Sequence, residues 1–173
     1  MKNCESAREK IYLWYYRLMR VDWRKLIFSV GICLLVGFGG SIFTASAIPT
    51  WYATLNKPVF SPPNYLFAPV WTTLYILMGL SLYLVWVSKS KLKSHAMNLF
   101  WIQLTLNFSW SLVFFGLHNP VLAFVDILAL WVFIFLTIKA FLPISKNSGY
   151  LLYPYLAWVS FATVLNFSIL LLN

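Results

Sequence analysis

The amino-acid sequence predicts an all-α membrane protein, a bundle of five transmembrane helices with its N-terminus on the cytoplasmic side. Three observations predict it. Hydrophobic residues make up 61% of the 173-residue chain and charged residues 10%, whereas soluble domains hold roughly 45–50% and 25%. Five apolar runs are long enough to cross a hydrocarbon core, for which about 20 residues suffice. Of thirteen Lys and Arg, twelve fall in segments that an odd number of spans puts on one side, and only Lys57 falls on the other. Positive charge collects on the cytoplasmic side, and a wrong span count would scramble that asymmetry.

The chain divides into a basic N-terminal extension, residues 1–25, and a membrane domain, residues 26–173. The extension carries Lys2, Arg8, Lys10, Arg17, Arg20, Arg24 and Lys25. Within it Ile11, Trp14, Tyr15, Leu18 and Met19 recur at helical spacing with Arg17 and Arg20 off that face. This pattern predicts an amphipathic helix lying on an anionic inner leaflet; a disordered tail is the alternative. The spans are placed at 26–47, 69–87, 97–117, 121–142 and 150–172. With no water in the hydrocarbon, each must be helical to satisfy its own backbone. Lys89, Lys91 and Lys93 lie in the second connection, and Lys139 and Lys146 around the fourth. Ala45-Ser46-Ala47 looks like a signal-peptide cleavage site, but the apolar run before it exceeds a typical h-region of about 7–15 residues. The first span is therefore expected to be retained.

Gly37, Ser41 and Ala45 stand at i, i+4 and i+8 on the first span, where small side chains let helices approach closely. Packing within the bundle and a dimer interface are both open readings of this stripe. Cys4 and Cys33 form no pairing pattern. Basic residues lie in the tail and short connections rather than on one folded face, so a nucleic-acid partner is not expected.

The first connection, residues 48–68, reads IPTWYATLNKPVFSPPNYLFA. Pro58, Pro62 and Pro63 stiffen it, and Trp51, Tyr52, Phe60, Tyr65 and Phe67 would sit at headgroup depth. It reads either as an ordinary aromatic belt or as a rigid aromatic cover over a cavity between helices. Polar residues inside the spans are few. Trp71, Trp110, Asp126 and Asn166 fall in the half nearer this connection, and Asn107 and Trp158 near the middle of their spans. Three of the four acids lie in the first 22 residues, and Asp126 stands alone beyond them. An intramembrane carboxylate is costly and commonly functional; Asp126 is either an acceptor between helices or part of a site.

No enzyme constellation is present in the sequence. His95 and His118 lie at opposite ends of the third span, about 35 Å apart at 1.5 Å per residue, so they cannot share a metal or one haem. There is no HExxH and no glycine-rich phosphate loop.

Several motifs occur in order between Gly37 and Phe167. They are the GGS of span one, then WYATLNKP, SPP, FAPVWTTLY and MGLSLYLVW, QLTLNFSWSLVFFG of span three, and YPYLAWVSFATVLNF of span five. In these the chain resembles the TspO, or translocator protein, family of tryptophan-rich sensory proteins. The resemblance implies a five-helix bundle, often dimeric in bacteria, whose cavity binds porphyrins such as protoporphyrin IX and haem, and drug-like molecules. It links the protein to tetrapyrrole transport, sensing or stress regulation. Some bacterial members are described as degrading protoporphyrin in light through cavity tryptophans, which correspond to Trp71 and Trp158. The implied pocket takes in Tyr52, Pro62, Tyr75, Asn107, Trp110 and Ala162; Trp51 and Asp126 complete the candidate set. Residues 1–25 lie outside the resemblance. At the C-terminus, the tyrosine of the animal cholesterol-recognition pattern is replaced by Phe167 and no Lys or Arg follows Lys146, so cholesterol transport is not expected.

The expected function is thus tetrapyrrole binding in porphyrin transport or sensing, with no required cofactor and with porphyrin or haem as ligand. Expected partners are membrane lipid and a second copy of the chain, in a bacterial inner membrane. The alternatives are an enzyme that oxidises bound porphyrin with light and oxygen, and a structural or regulatory membrane protein without a ligand.

Overall fold

A computed structural model describes residues 21–173, and within them the chain is helical with no strand. The elements are α1 (Trp23–Ala47), α2 (Trp51–Thr54), α3 (Phe67–Trp86), α4 (Lys93–Ser111), α5 (Pro120–Phe141), α6 (Lys146–Tyr150) and α7 (Tyr153–Leu172). Five segments among the described residues are long and apolar enough to cross a membrane, as the sequence predicts. The amphipathic reading of residues 11–19 lies outside the described residues.

Local chemistry sets the ends of the helices. α1 starts three residues before the predicted span because Asp22 caps it. The Asp22 carboxylate accepts from Lys25 N at 3.2 Å and pairs with Lys25 Nζ at 3.1 Å, satisfying donors that every helix start leaves free. The Lys25 backbone bond, foremost, holds the carboxyl below its usual range. Asp22 N in turn donates to the Tyr83 hydroxyl of α3 at 3.1 Å. α5 starts where Asn119 accepts from Leu122 N at 3.0 Å and Pro120 occupies the first turn. The last predicted span is divided. Ser145 caps the short α6, a turn at Leu151 and Leu152 follows, and α7 begins with Pro154 in its first turn.

α1 packs mainly on α3 and also on α4; α5 packs on α4 and α7; α7 touches α3. Around the bundle the order is therefore α1, α3, α7, α5, α4. Gly79 brings α1 and α3 together: a Cβ there would lie 2.9 Å from Ser29 O and press on Val30 Cα. The core holds Cys33, Met78, Leu82, Phe100, Ile134, Phe141 and Tyr155. Ile27, Leu35, Phe38 and Ile42 of α1, and Val121, Val125, Leu128, Val132 and Phe135 of α5, are exposed. In a membrane-spanning chain these rows face lipid.

Candidate functional site

The residues flagged in the sequence gather at the end of the bundle that carries residues 48–66 and the C-terminus. There α4 changes pitch: Leu112–Gly116 is a π-helical turn, with Leu117 N donating to Leu112 O at 2.8 Å. Val113, Phe114 and Phe115 are consecutive and all buried, whereas on a regular helix at about 100° per residue they would spread over roughly 200° of its circumference. The wider turn aims Phe114 and Phe115 inward beside Trp110, with ring centroids 5.2 and 5.8 Å from the indole. π-turns of this kind recur at functional sites.

Two cavities flank this aromatic wall. The larger, about 430 Å³, lies between α1 and α3 with α4 as its floor. Gly37, Ser41 and Ala45 line one side, and Trp71 and Tyr75 the other. Gly37 itself meets the Tyr75 ring, where a Cβ would overlap it. This residue of the small stripe thus packs within the bundle, while the exposed Ser41 and Ala45 leave the space open. The smaller cavity, about 30 Å³, lies among α3, α4 and α7 beneath Tyr52, with Trp158, Ala162 and Asn166 in its lining. Phe67, Trp71, Trp110 and Phe115 belong to both and form the partition.

Hydrogen bonds fix that partition. Trp71 rests against Tyr75 at 5.7 Å between centroids and meets Tyr155 edge-on at 6.3 Å. The Tyr75 hydroxyl donates to Asn107 Oδ1, and Asn107 Nδ2 donates to the Tyr155 hydroxyl at 3.0 Å. Trp110 Nε1 donates to Asn166 Oδ1 at 3.2 Å, and Asn166 Nδ2 donates to Pro120 O at 3.1 Å. Trp158 packs at 5.6 Å on Phe161 and meets Phe67 edge-on at 6.4 Å.

The first connection folds down over the smaller cavity. Tyr52 is 2% exposed, against Phe114 and Phe115. Its hydroxyl has no hydrogen-bond partner among the described residues. Burial pushes that phenol above its ordinary pKa. Lys57 Nζ sits 4.6 Å from the centre of the Tyr52 ring on its face, a cation–π contact. Trp51 stacks on His118 at 4.5 Å and meets Phe114 edge-on. His118 takes a positive φ of 53° to present its ring there. Asn56 and Asn173 clasp each other: Asn56 N donates to Asn173 Oδ1 at 2.9 Å, and Asn173 Nδ2 to Asn56 O at 3.0 Å.

Of the predicted site residues, Trp71 and Trp110 line both cavities, Tyr75 the larger, and Tyr52, Trp158 and Ala162 the smaller. Trp51 and the half-buried Pro62 line neither; both belong to the connection above. Asn107 also lines neither, its amide being engaged by the two tyrosines. Asp126 is half-buried on α5, away from both cavities, and its Oδ2 has no hydrogen-bond partner among the described residues. Phe115, Ser111 and Asn64 line the larger cavity without having been singled out in the sequence. In the sequence Phe115 is marked only by the Phe114-Phe115 pair, four and five residues after Trp110.

A family model described as TspO/MBR family matches residues 29–172. The chain belongs to the TspO/MBR family. The Tryptophan-rich protein TspO of Archaeoglobus fulgidus is 50% identical over 149 residues, covering 86% of this chain and 97% of that protein. The protein of the same name from Chlorobaculum tepidum is 49% identical over 152 residues, covering 86% and 95%. The human Translocator protein is 39% identical over 135 residues, covering 76% and 80%. With five membrane-crossing helices, this TspO/MBR member is an integral membrane protein.

Proposed function

We propose that this TspO/MBR protein binds a tetrapyrrole, protoporphyrin IX or haem, and serves porphyrin transport or sensing. The observation that carries the reading is the wall of Trp71, Tyr75, Trp110 and Phe115 around an apolar cavity of about 430 Å³, within the roughly 300–1,000 Å³ of ligand pockets. A porphyrin is a flat, largely apolar ring with two carboxylates. Indole and phenol faces suit its ring. Lys57, the one cation that the sequence puts on that side, suits a carboxylate at the rim. The reading includes an N-terminus in the cytoplasm, a place in the bacterial inner membrane and a homodimer.

A second reading rests on one contact set. Trp71, at the cavity wall, lies against Tyr75 and close to the buried Tyr155, a chain of three oxidisable rings reaching the cavity, as suits light- and oxygen-dependent porphyrin oxidation. One experiment separates the readings: purified protein titrated with protoporphyrin IX in the dark, followed by tryptophan quenching, then illuminated. Saturable quenching without a new absorbing product supports binding alone. A product that disappears in Trp71→Phe or Trp158→Phe supports the enzyme. Absence of saturable quenching refutes both.

A further inference from the structure

We propose that the tetrapyrrole reaches its site sideways from the bilayer, through the window between α1 and α3, and not through the loop end of the bundle. This rests on the tetrapyrrole reading above and adds the source of the ligand: the membrane phase. The larger cavity has a rim of exposed residues on two facing helices, Phe38, Ser41 and Ala45 on α1 and Ala68 and Thr72 on α3. Phe38 is 68% exposed in mid-helix, so that rim looks onto hydrocarbon. The floor behind it comes from a third helix, through Trp110, Ser111 and Phe115.

The chemistry of the rim agrees. The Ser41 hydroxyl donates to Phe38 O at 2.7 Å, Thr44 to Gly40 O at 3.2 Å and Thr72 to Ala68 O at 2.8 Å. Each is spent on its own helix, so the window presents aliphatic and aromatic surface with its hydroxyl donors occupied. Such a passage favours a lipid-dissolved body over water, which finds few polar partners at the rim.

At the loop end, the way into the smaller cavity is shut by named contacts. Tyr52 plugs the smaller cavity at 2% exposure. Trp51 is held between His118 and Phe114, and the Asn56–Asn173 clasp ties the connection to the end of α7. From the window, by contrast, a ligand passes the Phe38 ring and meets Trp71 on the α3 side and Trp110 on the floor, and these two indoles also wall the inner chamber. A ligand entering here stacks on arrival, and it moves deeper by displacing side chains without unfolding backbone.

The test uses the full chain in phospholipid nanodiscs with stopped-flow tryptophan quenching by protoporphyrin IX. Ala45→Leu with Ala68→Leu narrows the window from both rims with a side chain at home in lipid. Asn56→Ala with Asn173→Ala opens the clasp and leaves the window alone. Association about tenfold slower in the rim variant, with the clasp variant at the parental rate, is the expected result. Faster association in the clasp variant with an unchanged rim variant overturns the proposal and moves entry to the loop end. A rim variant with weakened affinity but parental association also overturns it, since the window would then be a seat and not a passage. A second probe needs no variant: protoporphyrin tied to a water-soluble polymer that cannot enter the bilayer should leave the parental protein unquenched, and quenching by it overturns lateral entry. Parental protein without saturable quenching by free protoporphyrin IX defeats the tetrapyrrole reading itself, and lateral entry with it.

Discussion

Asn107 offers the sharpest test of how the aromatic wall is held. It is 1% exposed, lines neither cavity and joins Tyr75 of α3 to Tyr155 of α7 through one hydrogen bond each. Both tyrosines touch Trp71, so the amide orients the indole at second hand. Asn107→Leu keeps the volume and removes both bonds. Interhelical hydrogen bonds in membranes average about 0.6 kcal/mol and reach about 1.7, so two bonds set the loss at about 1 to 3.5 kcal/mol. Orphaned hydroxyls in a dry interior put the value in the upper part of that range. Unfolding in mixed micelles measures it. The same substitution made in a Tyr75→Phe, Tyr155→Phe background should cost much less, because no hydroxyl is left without a partner. Equal cost in both backgrounds would refute the account. Parental stability with lost porphyrin affinity would refute it differently, by making Asn107 a direct ligand contact.

Four further outcomes are expected. Reporter fusions at residues 2 and 173 should report opposite sides of the membrane, with residue 2 inside; both ends on one side would end the five-span topology. Trp71→Phe should weaken porphyrin binding only several-fold and Trp71→Ala more, since a stacked ring adds about 0.5–1.5 kcal/mol beyond its area; titration in the dark checks this. Gly79→Ala should cost about 1–3 kcal/mol by pressing on Val30, whereas Gly31→Ala, which meets nothing within 4 Å, should be neutral or better in the same melts. Asp126→Asn should melt at or above the parental temperature, because it removes a charge whose Oδ2 is buried and unbonded among the described residues; a clear drop would reveal an acceptor role.

Span number was legible because a hydrocarbon solvent leaves the backbone one solution, and length alone then reports a helix. Helix ends were less so. The cap at Asp22 and the break before Pro154 are written in single polar residues and a proline, which a hydropathy reading averages away. Depth along the membrane was also legible: Trp71, Trp110 and Asn166 were placed in the half nearer the first connection, and they do meet there. Azimuth was not. A helix in lipid is apolar on the face it buries and on the face it exposes, so periodicity no longer marks the inside. The sequence left open whether Asp126 shares a face with Asn107 and Trp158; the structure puts it on α5, outside both cavities.

The same loss of periodicity hid the larger cavity. Gly37, Ser41 and Ala45 carry the spacing of a close-packed helix contact, and Gly37 makes one, against the Tyr75 ring. Beyond that contact Ser41 and Ala45 face Ala68, Trp71 and Thr72 of α3 across open space, and α3 gives way to the 3-10 turn at Asn64–Leu66 more than two turns from Tyr75. α4 cannot fill it either, because its π-helical turn draws Phe114 toward Tyr52 and Trp51. Small residues on α1 and the extra residue in the π-helical turn of α4 together leave a lateral opening walled by indoles. A substitution that regularised the π-turn, such as deletion of Val113, would therefore rotate Phe114 and Phe115 by about 100° relative to Trp110 and close the cavity without touching its lining from α1 or α3.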